Sequence, residues 1–365
     1  MGSKVGGICL MLLTFVALTS CASANGGTVK EEGVQPAGAA SDQETAPTLR
    51  QMAEKRGFYV GAAVNYDPFS KDAAYRQAVA EHFNMLTPEN DMKFMRLHPE
   101  KDRYTFDNAD KLMAFAAEHR ITVRGHTLVW HRSLPKWVEE GQWDKEQLKA
   151  VLKEHIQTVV SRYKGKIAVW DVVNEAFNDD GSYRDNIWHK VIGPEYIELA
   201  FRWAHEADPD ALLYYNDYTN EGMSVKSNRI YEMARDFRSR QVPIHGIGWQ
   251  MHVRTMNYAS PDKMKQNLQR LGALGLQVQI TEMDVKVNDN KDNTPDDKMK
   301  RQADVYAGTL AACLKEANCT AFVTWGVGDK YTYLKEQDPK ERPLLLDEQF
   351  RPKPAYQAVT DVLKR

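Results

Sequence analysis

From residue 58 onward the chain alternates, eight times over, a short apolar run of strand composition with a longer stretch of helical periodicity. The strand-like runs fall at 58–64, 84–88, 121–129, 167–174, 212–217, 246–252, 277–284 and 321–326. Helical patterns fall at 73–82, 109–118, 145–163, 197–207, 227–240, 263–271, 298–316 and 355–363, read from apolar residues returning at three- and four-residue spacing. Eight strands, each followed by a helix, predict an α/β fold of the (β/α)8 (TIM) barrel type. An open doubly wound sheet is the alternative, but no GxGxxG follows an early strand to support it. Residues 47–365 contain no low-complexity or Pro/Ser-rich linker, so they are expected to form one domain. A hydrophobic share of 42% is ample for its core.

The front of the chain reads differently. Lys4, an apolar run at 8–18 too short to span a bilayer, and Leu18-Thr19-Ser20-Cys21 follow one another. That order resembles a bacterial lipoprotein signal, with 1–20 removed and Cys21 lipidated; an ordinary secretory peptide is the alternative. Residues 21–46, rich in Gly, Ala, Ser, Thr and Glu, are expected to be a flexible tether. The expected location is therefore outside the cytoplasm, periplasmic or at the cell surface, with membrane contact only through the lipid. Cys313 and Cys319, six residues apart, could close a small disulfide loop after export; two free buried thiols are the alternative. Net charge is −2, which gives no broad basic field and excludes nucleic acid as the natural partner.

In a parallel barrel, function gathers where the strands end. Two of those ends, WDVVNEAF at 170–177 and VQITEMDV at 278–285, close an apolar run with a glutamate, Glu175 and Glu282. A carboxylate at the end of a buried strand is costly unless partners or water compensate it, so the two are read as one site. Other strand ends add Glu89, Asn90 and Lys93; His126 and Trp130; Asn216 to Tyr218; Gln250 and His252; and Trp325 with Tyr333 beyond it.

Strand parity refines this set, since residues two apart share a face. His126, Leu128 and Trp130 go together, and His131 is expected to face the helices, which disfavours a metal site built on both histidines. Gly246 and Gly248 share a face with Gln250 and His252, so they are expected to leave room low in the barrel. Asn174 and Glu175 are adjacent, and only a bulge would turn both inward.

These segments carry a resemblance. TPENDMK at 87–93, RGHTLVWH at 124–131, WDVVNEA at 170–176, YNDY at 215–218, Gln250 and His252, ITEMD at 280–284 and TWGVGDK at 324–330 resemble, in order, the catalytic domain of glycoside hydrolase family 10. That is the family of retaining endo-β-1,4-xylanases on a (β/α)8 barrel. The resemblance implies Glu175 as general acid/base and Glu282 as nucleophile, with xylan or xylo-oligosaccharides as substrate and no cofactor or metal. It implies supporting roles for Asn174, which would bond the sugar 2-hydroxyl, and for His252 held by Asp284. Glu89, Asn90, Lys93, His126 and Gln250 would bond sugar hydroxyls, while Trp130, Trp325 and Tyr218 would offer ring faces. Retaining hydrolysis independently requires two carboxyl groups, one protonated and one ionised. The chain is expected to act as a monomer.

Two positions depart from the family pattern. Arg132-Ser133 stands where it commonly reads Ser-Gln, and Tyr333 stands where a second tryptophan is expected. Both leave chain-length and branch preferences open. A relative acting on β-1,4-glucan, mixed-linkage glucan or aryl glycosides would use the same glutamates, and a surface glycan-binding lipoprotein without activity is a reading from another class.

Overall fold

The computed structural model describes residues 47–288 and 294–365; the expected signal 1–20 and tether 21–46, with Cys21, lie outside the described residues. Nine strand segments run β1 Tyr59–Val64, β2 Met85–Pro88, β3 Thr122–Val129, β4 Val169–Asn174, β5 Leu212–Asp217, β6 Gly246–Trp249, β7 His252–Arg254, β8 Gln277–Lys286 and β9 Cys319–Thr324. All neighbours are parallel, in the order β6-β5-β4-β3-β2-β1-β9-β8, and β6 pairs with β8 to close the ring. After a break at Gln250-Met251, β7 continues along the same partner, with His252 opposite Asp284. β6 and β7 are thus one stave of an eight-stave barrel.

Helices cover the outside because each presents one apolar face. In Lys145–Arg162, Leu148, Leu152, Ile156 and Val159 are buried, and Asp144 caps the first turn by accepting from the Gln147 N–H. The helix Leu49–Lys55, which the sequence pattern did not indicate, joins the last helix, Pro354–Lys364, through a bond from the Leu49 N–H to Tyr356 Oη at 2.9 Å.

The barrel interior is polar near its centre. Arg124 on β3 is fully buried; its Nε donates to Asp171 Oδ2 at 3.1 Å, and its guanidinium also meets Gln279 and lies 4.8 Å from the Tyr214 ring centre. Burial pushes the Asp171 carboxyl up, but Arg124 and His126 outweigh this and hold it below the usual carboxylate range. The room expected at Gly246 and Gly248 is filled rather than open. A Cβ at Gly246 would lie 2.3 Å from the Tyr214 ring, and one at Gly248 would lie 2.1 Å from Asn216 Oδ1. The two glycines make space for side chains of the neighbouring stave β5.

Cys313, at the end of the helix Pro295–Leu314, and Cys319, which opens β9, are joined by a disulfide with Cα atoms 5.3 Å apart. It sits at the N-terminal end of its strand, whereas Trp325 follows the other end.

Candidate active site

Glu282 lies within β8 with only 4% of its surface exposed, and both its oxygens are held. Asn216 Nδ2 donates to Oε1 at 2.7 Å, and His252 Nε2 meets Oε2 at 3.1 Å. The other ring nitrogen of His252 lies 2.7 Å from Asp284 Oδ2, to which Tyr333 Oη also donates at 3.2 Å. The hydroxyl at position 333 therefore adds a hydrogen bond behind His252. A carboxylate with both oxygens fixed presents its remaining lone pairs in one direction, as a nucleophile must.

Glu175 follows β4 with φ at +56°, a left-handed conformation that costs a non-glycine residue roughly 1–2 kcal/mol. Together with a register shift between Asp171 and Val173 against β5, this turns Asn174 and Glu175 toward the same cleft. Gln250 Nε2 donates to Glu175 Oε1 and to Asn174 Oδ1, each at 3.1 Å, and Asn216 Nδ2 donates to Asn174 Oδ1 at 2.9 Å. The opposite Asn174 amide orientation would accept from Trp130 Nε1 at 3.2 Å. It would also set the amide nitrogen against two donors whose own orientations are fixed by Glu282 and Glu175, so the first arrangement holds. A chain of amides links the two carboxylates.

The cleft they share measures about 440 Å³, and every binding residue expected from the sequence lines it: Glu89, Asn90, Lys93, His126, Trp130, Tyr218, Gln250, Trp325 and Tyr333. Lys93 Nζ donates to Asn90 Oδ1 at 2.8 Å and sits 5.2 and 5.9 Å from the Trp130 and Trp325 ring centres. Burial lowers the Lys93 pKa and raises that of Glu89. Tyr218 has one ring face covered by Lys226 Nζ at 3.3 Å, while its hydroxyl accepts from Arg184 at 2.7 Å. Only its other face is left for a sugar.

His131 does not face the helices. Its Nδ1 lies 3.8 Å from Glu175 Oε2, because the β3 register shifts against β4 between His126 and Val129 and parity fails beyond that point. Burial, then the charges of Arg184, Arg132 and Lys226, push its pKa down to about 3, so the ring is neutral. Although His126 lines the cleft and His131 approaches Glu175, no three His, Cys, Asp or Glu side chains among the described residues are grouped to hold a metal ion. Sequence reasoning missed Arg184 and Lys226, and it placed Asn216 at a strand end without giving it the bond to Glu282; Arg184 lies in an irregular connection and carried no signal.

Residues 48–362 match the family described as Glycosyl hydrolase family 10. The chain belongs to glycoside hydrolase family 10. Among relatives, this family 10 chain is 43% identical to endo-1,4-beta-xylanase B of Thermotoga neapolitana, over 87% of this chain and 91% of that protein. It is 39% identical to exoglucanase XynX of Acetivibrio thermocellus, over 84% of this chain and 29% of that protein. Among solved structures, the family 10 barrel superposes on xylanase 10B from Thermotoga petrophila RKU-1 in complex with xylobiose. The TM-score is 0.85 at 44% identity, covering 88% of this chain and 98% of that one.

Proposed function

We propose that this protein is a retaining endo-1,4-β-xylanase. The observation that carries the reading is the pair of strand-end carboxylates, one clamped from both oxygens and the other reached by Gln250 at the end of a connecting chain of amides. Glu282 attacks the anomeric carbon while Glu175 delivers a proton to the departing glycosidic oxygen, leaving a glycosyl ester on Glu282. Glu175 then takes a proton from water, whose oxygen displaces Glu282 from the opposite face, and the anomeric configuration is retained. Asn174, with its Oδ1 occupied by Asn216 and Gln250, has its Nδ2 on the Glu175 side, 3.4 Å from Oε1, where it can bond a sugar hydroxyl. The xylanase relatives and the xylobiose-bound structure support xylan over glucan as substrate.

The test is product analysis on β-1,4-xylan, cellulose and mixed-linkage glucan, with the anomer followed by NMR. Xylan is expected to give oligomers first as the β-anomer, and Glu282→Ala to abolish release. Glu175→Ala should lose roughly 10²–10⁴-fold on xylan and far less on an aryl xyloside whose leaving group needs no proton. Products appearing first as the α-anomer, or cleavage of glucan alone, would overturn the assignment.

We also propose that the chain is exported and anchored through lipid on Cys21. The Cys313–Cys319 disulfide supports an oxidising compartment. Labelled palmitate should enter the wild type and not Cys21→Ser; equal labelling refutes the anchor.

A further inference from the structure

We propose that Arg132 makes this cleft selective for acidic xylan, its guanidinium holding the carboxylate of a uronosyl branch on the chain being cleaved. The inference rests on the xylanase reading above and adds a class of substrate to it.

Arg132 lines the same cleft as Glu175 and Glu282, and its charge acts on His131, which lies 3.8 Å from Glu175 Oε2, so it stands on the Glu175 wall. That wall carries several cations, and the others are engaged. Arg184 donates to the Glu175 carbonyl and to Tyr218 Oη at 3.0 and 2.7 Å. Lys226 pairs with Asp217 and Asp179 at 2.9 and 3.1 Å, and Lys93 is bonded to Asn90. Arg132 makes no ion pair or hydrogen bond among the described residues. Its backbone is nevertheless fixed, because the next carbonyl, that of Ser133, accepts from the Met95 N–H at 2.8 Å. The result is an exposed guanidinium on a pinned loop, aimed at no protein anion.

Neutral xylan offers only hydroxyls, which any polar side chain can bond. A guanidinium is matched instead by a carboxylate, which takes two parallel N–H bonds. The sequence supports the same reading: position 132 carries a long cation, and position 133 a short serine, where the family pattern commonly reads Ser-Gln.

The experiment compares kcat/KM on a glucuronosyl-branched xylo-oligosaccharide with that on the same compound after carboxyl reduction, alongside a linear xylo-oligosaccharide. The readout is the acid-to-reduced ratio, so any general effect of a substitution divides out. The wild type should favour the acidic branch by about tenfold, the size of one solvent-accessible charge-assisted contact, and added salt should erode this preference. Arg132→Ser should bring the ratio to about one, and Arg132→Lys should keep part of it. If linear xylan is cleaved and the ratio is the same in the wild type and Arg132→Ser, the inference is overturned while the xylanase reading stands. If the wild type cleaves none of these substrates, the xylanase reading falls and this inference with it.

Discussion

His252 stands between two carboxylates with both ring nitrogens engaged. Ionised Glu282 and Asp284 can only accept, so the ring must donate twice and carry a charge. Burial alone would lower its pKa, but the charge and hydrogen bond of Asp284, followed by those of Glu282, raise it to about 10. A pKa raised on folding adds stability that is complete below the ordinary histidine value and is lost as pH climbs through the folded one. The Tm advantage of the wild type over His252→Gln should therefore be several degrees larger at pH 6 than at pH 10 by calorimetry. An equal advantage at both pH values would mean that the ring is not charged. The His252 and Asp284 pairing was legible through the family resemblance and not through parity, since β6 breaks before β7 and the β8 register shifts between Ile280 and Met283. The placement of His131 was not, because a register shift in β3 leaves no trace in composition.

At the scale of elements, the periodicity placed all eight staves and their eight following helices within a few residues, since each had to bury an apolar face. It could not show how staves interlock. Gly248 is the clearest case: a methyl group there would meet Asn216, which bonds Glu282. Gly248→Ala should lower kcat by at least roughly tenfold, as one misplaced hydrogen bond to a reacting group does, with KM less affected. A parallel loss in Tm large enough to unfold the enzyme at assay temperature would point to the barrel instead of the site. Helix ends offer the opposite opportunity. Gly57 and Gly275 take the left-handed position after their helices, whereas Gln241 adopts φ +56° there as an exposed residue with its side chain unbonded. Gln241→Gly should raise stability by about 0.5–1 kcal/mol, read from the urea midpoint.

Across the whole molecule, stability and chemistry sit at opposite ends of the staves. The disulfide closes a loop of sequence separation 6 at the N-terminal end of β9, and constraining so short a loop contributes about 2 kcal/mol. Reduction should lower Tm by several degrees in calorimetry while leaving the rate on xylan at moderate temperature unchanged; a matching loss of rate would tie the two ends together. The chain of amides at the other end has a different kind of consequence. Asn216 and Gln250 both donate outward, to Glu282 and Glu175, and both donate inward to the single oxygen of Asn174. Carboxamides do not release protons at working pH, so this bridge couples the two glutamates in position while insulating them against proton exchange. The proton that Glu175 surrenders to the departing sugar is therefore not drawn back from the nucleophile through these amides; it is regained when Glu175 deprotonates the incoming water.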